Sequence, residues 1–522
     1  MKPDSATNLS APAGSAAQSD LVERCKALAS LSVPGIVQIT ATLVAEGKFT
    51  PPDAEANALI GLPYEIETPP FCRVQAVAKP SADSHINIEI WLPLTDWNGR
   101  FCHAGNGGFG RGFFVPAGFM IPCLRRGYAV AGTDMGHPRT TGYDARWALH
   151  HPEKVVDWAW RANLVTAEFG KLVTAHFYGN EPEKSYFLGC SDGGREALIF
   201  AQRYPSMFDG IMAGAPAISF TDLALEHIEH SRWMSESNLT AAKLPAIRKA
   251  AVTALDAQDQ AADDLTTRPW GREFDPAVIA CQAGEDSPSC LTPAQVEAVR
   301  RIYAGVTDPS TGAIIHPGPY PGSEADWAGL MGEQRGGTGP ALFQNIVYGD
   351  PGWTLSRFDL AKDFEAKREA AALIDADNPD LAAFNAHGGK LLMYHGLADG
   401  TVIPQRSIDY LGAVASRLPA GQKVDDFVRL FLVPGMSHCI AGADGVAAFD
   451  ALTALEQWTE KGIAPDSIVG TRPEQFLFLG YNVTAAPPAP VSSLLYPYPK
   501  IARRQPSAEG ASTEGFVSSD AN

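Results

Sequence analysis

Tyr186-Phe187-Leu188-Gly189-Cys190-Ser191-Asp192-Gly193-Gly194-Arg195 is the stretch that decides the fold. An apolar run enters a GxSxG pentapeptide, and a helix-like stretch from Arg195 to Tyr204 leaves it. A serine hydroxyl is a weak nucleophile unless a tight turn presents it beside a base, and flanking glycines let strand and helix approach closely enough for that turn. The stretch therefore reads as a nucleophile elbow. The cysteine inside the pentapeptide is a second signal, because far downstream His438 is followed immediately by Cys439. Bridged cysteines keep their Cα atoms about 4.4–6.8 Å apart, and a chain neighbour sits about 3.8 Å further on. A Cys190–Cys439 bridge would thus confine Ser191 and His438 to one small region. It would close a loop of roughly 250 residues, worth on the order of 5 kcal/mol in the chain-entropy picture.

Acyl transfer by serine also needs an acid to orient the base, and donors for the oxyanion. Asp399 lies in Tyr394-His395-Gly396-Leu397-Ala398-Asp399 and follows the apolar run Lys390 to His395. His438 lies in Pro434-Gly435-Met436-Ser437-His438-Cys439 and follows the next run, Val428 to Val433. The order Ser, Asp, His is that of α/β-hydrolases. His395, His103, His137 and His387 are other candidates for the base, but His438 alone follows the acid and has the neighbouring cysteine. One oxyanion donor is expected from the N–H of Asp192 and the second from Gly107 or Gly108 in Gly105-Asn106-Gly107-Gly108. A carboxylate beside the oxyanion would oppose charge development, so the Asp192 side chain is expected to cap its helix instead.

Outward from this centre, Ile86 to Leu92 reads as a half-buried strand, Tyr128 to Asp134 as a short strand, Glu153 to Phe177 as a helix and Gly210 to Ala215 as a strand ending at Pro216. Alternating strands and helices predict a parallel sheet covered on both faces. Between Pro216 and Lys390 the pattern changes to helical pieces (Ala241 to Leu255, Pro293 to Tyr303, Leu360 to Asp375) separated by loops rich in Gly and Pro. That pattern predicts an inserted lid over the strand ends, where it would shape the substrate pocket. Its aromatic residues Trp233, Trp270, Trp327, Phe343, Trp353 and Phe358 are expected mainly in its core.

The 522 residues are 45% hydrophobic with a formal net charge of −18, enough for a large core and contrary to nucleic-acid binding. No run of about 18 apolar residues suggests a membrane span. Met1 to Asp20 lacks the apolar centre of a secretory signal and reads as a disordered tail, and the segment after Ala485 as one with little power to pack. Eight cysteines without any CxxC spacing point to bridges rather than metal ligands, hence to an oxidising compartment.

These residues resemble the tannase and feruloyl esterase family, which includes the mono(2-hydroxyethyl) terephthalate hydrolases. The resemblance rests on Gly189 to Leu198, Gln202-Arg203-Tyr204-Pro205, Phe208-Asp209-Gly210, Ala213-Gly214-Ala215-Pro216, Cys290-Leu291-Thr292-Pro293-Ala294-Gln295 and His438-Cys439, and runs from about Cys25 to Lys500. It implies an α/β-hydrolase fold with a large inserted lid domain and a serine carboxylesterase with Ser191, Asp399 and His438 as triad. The expected organisation is a tail at 1–24, core at 25–217, lid at 218–388, core again at 389–500 and a tail at 501–522.

The resemblance also implies the pairs Cys25–Cys72 and Cys281–Cys290, besides a bridge between Cys190 and Cys439. Cys102 and Cys123 have no family pairing, and either bridge each other or stay reduced. A structural calcium ion in the lid would take Asp256, Asp259 and Asp263 with the carbonyls of Ala261 and Leu265, and no cofactor is expected for catalysis. This chain departs from the pattern there, with Gln260 and Asp264 in place of glycines and Leu255 and Glu273 in place of the flanking cysteines. A C-terminal family disulfide is missing too, since Tyr496 and Ser518 stand near its expected cysteines.

The expected substrate is a small aromatic ester of feruloyl (hydroxycinnamoyl) or galloyl type, with a terephthalate monoester as the alternative. A non-catalytic hydrolase fold that binds an aromatic ligand, and a peptidase or acyltransferase using the same triad, are the competing classes. Secretion or a periplasmic location is expected from the bridges, without a visible signal peptide, and no nucleic-acid or membrane partner is expected. Oligomeric state is not legible.

Overall fold

Strands buried on both faces require apolar residues at successive positions, and the run Tyr186-Phe187-Leu188 meets that demand. In the computed structural model of the chain, residues 13–55, 64–259, 274–332, 335–439, 445–446, 448–472, 475–478, 481–484, 491–504 and 516–520 are described. The core is a nine-stranded sheet built from β1 (Ile36–Val44), β2 (Phe71–Ala78), β3 (Ile86–Pro93), β4 (Arg100–Ala104), β5 (Ala129–Thr133), β6 (Lys184–Cys190), β7 (Gly210–Gly214), β8 (Lys390–Gly396) and β9 (Val428–Val433). Their order across the sheet is β1-β2-β3-β5-β4-β6-β7-β8-β9.

The six strands from β5 to β9 run parallel, whereas β1, β2 and β3 pair antiparallel with one another and β3 pairs antiparallel with β5. The sheet is therefore mixed rather than wholly parallel. Short connections explain the difference: β2 reaches β3 across residues 79–85, too few for the helical crossover that a parallel pair needs.

Alternate residues of the parallel strands feed two cores. Phe187, Ile211 and Met393 face the helices Ala162–Tyr178, Asp192–Arg203 and Gln405–Arg417. Tyr186, Met212 and Leu392 face Phe114–Arg125 and Ala451–Lys461. β3 is buried along nearly its whole length, not half-buried: Glu89 lies inside because Arg73, Gln75 and the indole N–H of Trp91 all donate to its carboxylate. Burying that charge is tolerable only with such partners.

The register puts the C-terminal ends of four strands level. Cys190 stands opposite Gly214, Gly214 opposite Tyr394, and Gly396 opposite Val433. Loops carrying Ser191, Asp399 and His438 leave the sheet at that shared edge.

The lid segment has helices at Phe220–Glu236, Leu244–Asp259 and Pro293–Ala304, the last started by a capping box in which Thr292 and Gln295 satisfy each other's backbone N–H groups. The helix expected over Leu360 to Asp375 is two, Leu360–Ala366 and Arg368–Ile374, parting at Lys367. Lys367 turns inward at that break to Asp222 and Thr221. Trp327 packs in a cluster made wholly of lid residues, Phe343, Trp353 and Phe358 join a cluster shared with Phe109, Trp158 and Val402 of the core segments, Trp233 touches both, and Trp270 lies outside the described residues.

Both ends of the chain are more structured than their composition suggests. A helix spans Ala13–Leu28 and is tied down by the Cys25–Cys72 disulfide. Val491–Leu495 pairs with Ile468–Arg472, Tyr498 N–H bonds Leu430 O at 2.7 Å beside β9, and Lys500–Arg504 pairs with Phe516–Asp520. Leu495 and Ile501 are buried, so a few apolar residues among the prolines suffice to dock this segment. No helix among the described residues is long and apolar enough to cross a membrane.

Candidate active site

Ser191 has φ 64° and ψ −122°, a conformation that costs a non-glycine residue about 1–3 kcal/mol. The surroundings hold it there. Ser191 N–H bonds Gly214 O at 3.0 Å, and Ser191 O accepts from Arg195 and Ala217 N–H groups at 3.1 Å. The flanking glycines are steric necessities: a Cβ on Gly189 would stand 2.2 Å from Gly193 O, and one on Gly193 would stand 2.7 Å from Asn106 O.

His438 Nε2 lies 2.8 Å from Ser191 Oγ, and His438 Nδ1 lies 2.7 Å from Asp399 Oδ2. Asp399 Oδ1 accepts from the N–H groups of Thr401 and Val402, both at 2.9 Å. His395, on the same strand end as the acid, contributes from the side: its Nε2 is 2.8 Å from Val402 O and 3.3 Å from Asp399 Oδ2, while Nδ1 meets Ser407 Oγ. Of the other histidines, His103 bonds Asn163, His137 stacks on Trp147 and His387 is exposed, so none enters the relay.

Three disulfides are present, Cys25–Cys72, Cys281–Cys290 and Cys190–Cys439, the last with Cα atoms 5.8 Å apart between the serine and histidine loops. Cys102 and Cys123 are buried free thiols.

In the loop expected to supply an oxyanion donor, Asn106 is the organising residue. Its Oδ1 accepts from Gly107 N–H and Arg111 N–H, its Nδ2 donates to Gly112 O and Thr133 O, and its own N–H donates to Glu196 Oε2 on the helix after the serine. Because Gly107 N–H is taken, Gly108 is the better placed of the two expected donors. The N–H groups of Gly108 and Asp192 have no acceptor among the described residues.

The Asp192 side chain does not cap its helix. It lies buried against Arg195, Oδ1 to Nε 2.5 Å, because residue 192 is already inside the first helical turn and the residue at the cap is Ser191. Arg195 in turn donates to Ala159 O and Ile374 O, so the Asp192 carboxylate is held by a fixed, buried counterion.

Two lid residues reach the relay that the sequence pattern does not single out. Asp326 accepts from Ser437 Oγ (2.5 Å) and from Gly400 N–H (3.0 Å), gripping the neighbours of both His438 and Asp399. His227 Nε2 bonds Thr401 O at 2.9 Å, and burial pulls its pKa down to about 4, so it serves as a neutral donor.

Burial opposes ionisation of Asp399, but the charge and hydrogen bond of His438, with help from His395, hold its carboxyl below the usual range. For His438 burial favours the neutral ring, yet Asp399 outweighs it and Asp326 adds to the effect, so the net shift is upward from 6.5. A general base must be neutral to accept a proton, so activity is expected to fall on the acid side with a midpoint above 6.5. Asp326→Asn removes a charge that favours the imidazolium and should move that limb to lower pH. A pH profile of kcat/KM checks this, and an unmoved limb would count against the contact.

Ser191 and His438 open into a cavity of about 1080 Å³ whose lining includes Phe119, Leu188, Phe220, Leu223, Met436 and Phe449. Such a wall suits a planar aromatic group. Among the described residues no His, Cys, Asp or Glu side chains assemble into a metal site. Of the expected calcium ligands, Asp256 and Asp259 belong to the helix Leu244–Asp259, and Ala261, Asp263 and Leu265 lie outside the described residues.

The chain matches the family described as tannase and feruloyl esterase over residues 72–517. It is 35% identical over 501 residues to an uncharacterised esterase of Xanthomonas campestris, covering 86% of this chain and 84% of that protein. It is 34% identical over 460 residues to a probable feruloyl esterase of Arthroderma benhamiae, covering 80% and 84%. In structure it is similar to feruloyl esterase B from Aspergillus oryzae, with a TM-score of 0.81, 26% identity, and coverage of 96% of this chain and 100% of that one.

Proposed function

The chain belongs to the tannase and feruloyl esterase family and is a carboxylic ester hydrolase, and from that premise we propose that it cleaves esters of aromatic acids of feruloyl or galloyl type through an acyl-enzyme on Ser191. The observation that carries the proposal is the unbroken relay from Ser191 Oγ through His438 to Asp399, at 2.8 and 2.7 Å. Ser191 attacks the ester carbonyl as His438 takes its proton, and the N–H groups of Asp192 and Gly108 receive the oxyanion. His438 returns the proton to the departing alcohol. A water molecule then repeats the sequence on the acyl-enzyme, and the acid is released. Asp399, pinned by Thr401 and Val402 N–H groups, keeps the imidazole in the required tautomer and stabilises its cation. No step runs through the calcium ion that the resemblance implies for the lid.

An intact relay supports turnover over mere binding of an aromatic ligand, and the apolar cavity supports an aromatic acyl group over a peptide. Three disulfides fit an oxidising compartment and support export to the periplasm or the medium. The test is a substrate panel of methyl ferulate, methyl gallate, a terephthalate monoester and p-nitroanilides. Rapid hydrolysis of at least one aromatic ester is expected. Cleavage of amides alone would sink the proposal.

A further inference from the structure

Beside the triad, one cation on the cavity wall has no counterion among the described residues. Arg111 is half-buried and shares that wall with Gly107, Gly108, Ser191 and His438. Its guanidinium has no hydrogen bond or ion pair among the described residues. Nearby arginines are all engaged: Arg125 with Glu67 O, Arg126 with Asp450 and Glu456, Arg139 with Asp53, and Arg146 with Asp144.

Arg111 is also held in place. Its N–H is bonded to Asn106 Oδ1 at 3.1 Å, on the same amide that organises the oxyanion loop. Its side chain lies across Gly142, where a Cβ would stand 2.6 Å from Nε. The charge is close enough to the base to be among the groups that disfavour the His438 cation.

A guanidinium that has lost part of its hydration without gaining an acceptor is poised for one. A carboxylate matches its planar fork with two parallel hydrogen bonds, which a neutral group cannot do with equal strength. The net charge of −18 makes the point sharper, because the molecule as a whole discourages anions, and a fixed cation inside an apolar cavity selects them locally.

We propose that Arg111 binds a free carboxylate carried by the ester substrate, so that preferred substrates are aromatic esters with a second, unesterified acid group. This rests on the aromatic-ester reading above. The acid can sit on the acyl ring or on the alcohol portion, and matched pairs of probes distinguish the two. Monomethyl terephthalate against methyl 4-carbamoylbenzoate places the carboxylate or its neutral amide counterpart on the acyl side. Carboxymethyl ferulate against carbamoylmethyl ferulate places it on the alcohol side.

In the wild-type enzyme the carboxylate member of one pair is expected to have a kcat/KM about 10- to 100-fold higher than its amide, mostly through KM. Arg111→Gln should bring that ratio close to one, and Arg111→Lys should keep part of it. A ratio near one in both wild-type pairs overturns the proposal. So does a ratio that survives Arg111→Gln, or an equal loss on both members of a pair, which would make Arg111 a helper of the oxyanion. If no member of either pair is hydrolysed in a Ser191-dependent way, the aromatic-ester reading fails and the carboxylate proposal falls with it. Hydrolysis of both members without preference overturns the carboxylate proposal alone.

Discussion

Ser191→Ala is expected to lower kcat on an aromatic ester about 10⁶-fold, with the folded state retained. The size follows from losing the covalent route altogether: His438 keeps its bond to Asp399 but has no hydroxyl to deprotonate. Residual turnover would come from the oxyanion donors and the cavity acting on water. A second substitution at the same position separates chemistry from strain. Ser191→Gly should be equally inactive yet more stable than Ser191→Ala by about 1–3 kcal/mol, because glycine adopts φ 64°, ψ −122° without the Cβ penalty. Thermal unfolding of the two variants checks that ordering, and kcat on methyl ferulate checks the loss. A fluorophosphonate probe should label the wild type and neither variant.

Removing Cys190 and Cys439 together is expected to have the second-largest effect. The bridge closes 249 residues, worth on the order of 5 kcal/mol by chain entropy, and it also joins the two loops that carry Ser191 and His438. The double alanine variant should therefore lose both stability and kcat, with activity failing well below the temperature at which the fold melts. Cys281→Ala with Cys290→Ala is the control. That pair closes only 9 residues within the lid, worth about 2–3 kcal/mol, and touches neither catalytic loop. Equal loss of activity in the two variants at a temperature where both are folded would show that the Cys190–Cys439 brace does not position the triad.

How much of this could be read in advance depends on how local each feature is. The elbow was legible because its glycines answer to contacts within the pentapeptide and its next neighbours, as at Gly189 against Gly193 O. The strands ending at Gly396 and Val433 were legible to within a residue because strands buried along nearly their whole length need near-continuous apolar runs. The cysteine beside each of Ser191 and His438 carried a contact across 249 residues that sequence could suggest.

What escaped depends on partners distant in the chain. Glu89 made β3 look half-exposed because its three donors come from side chains on two strands. Asp192 has the composition of a helix cap, and only the position of the turn gives it to Arg195 instead. The C-terminal strands dock through scattered residues such as Leu495 and Ile501 that a proline-rich composition hides. Asp326 and His227 come from the lid, and nothing in their own segments marks them as neighbours of residues 399–401 and 437. Arg111 follows a glycine-rich loop whose motif predicts donors for an oxyanion but is silent about a free cation.

The central claim is that an aromatic ester is cleaved through a covalent acyl group on Ser191. Acid quenching during turnover of methyl ferulate, followed by peptide mass mapping, tests it most directly. The prediction is a feruloyl adduct on the peptide containing Ser191 that is absent from Ser191→Ala. Turnover persisting in Ser191→Ala, or an acyl group recovered on a different residue, would contradict it.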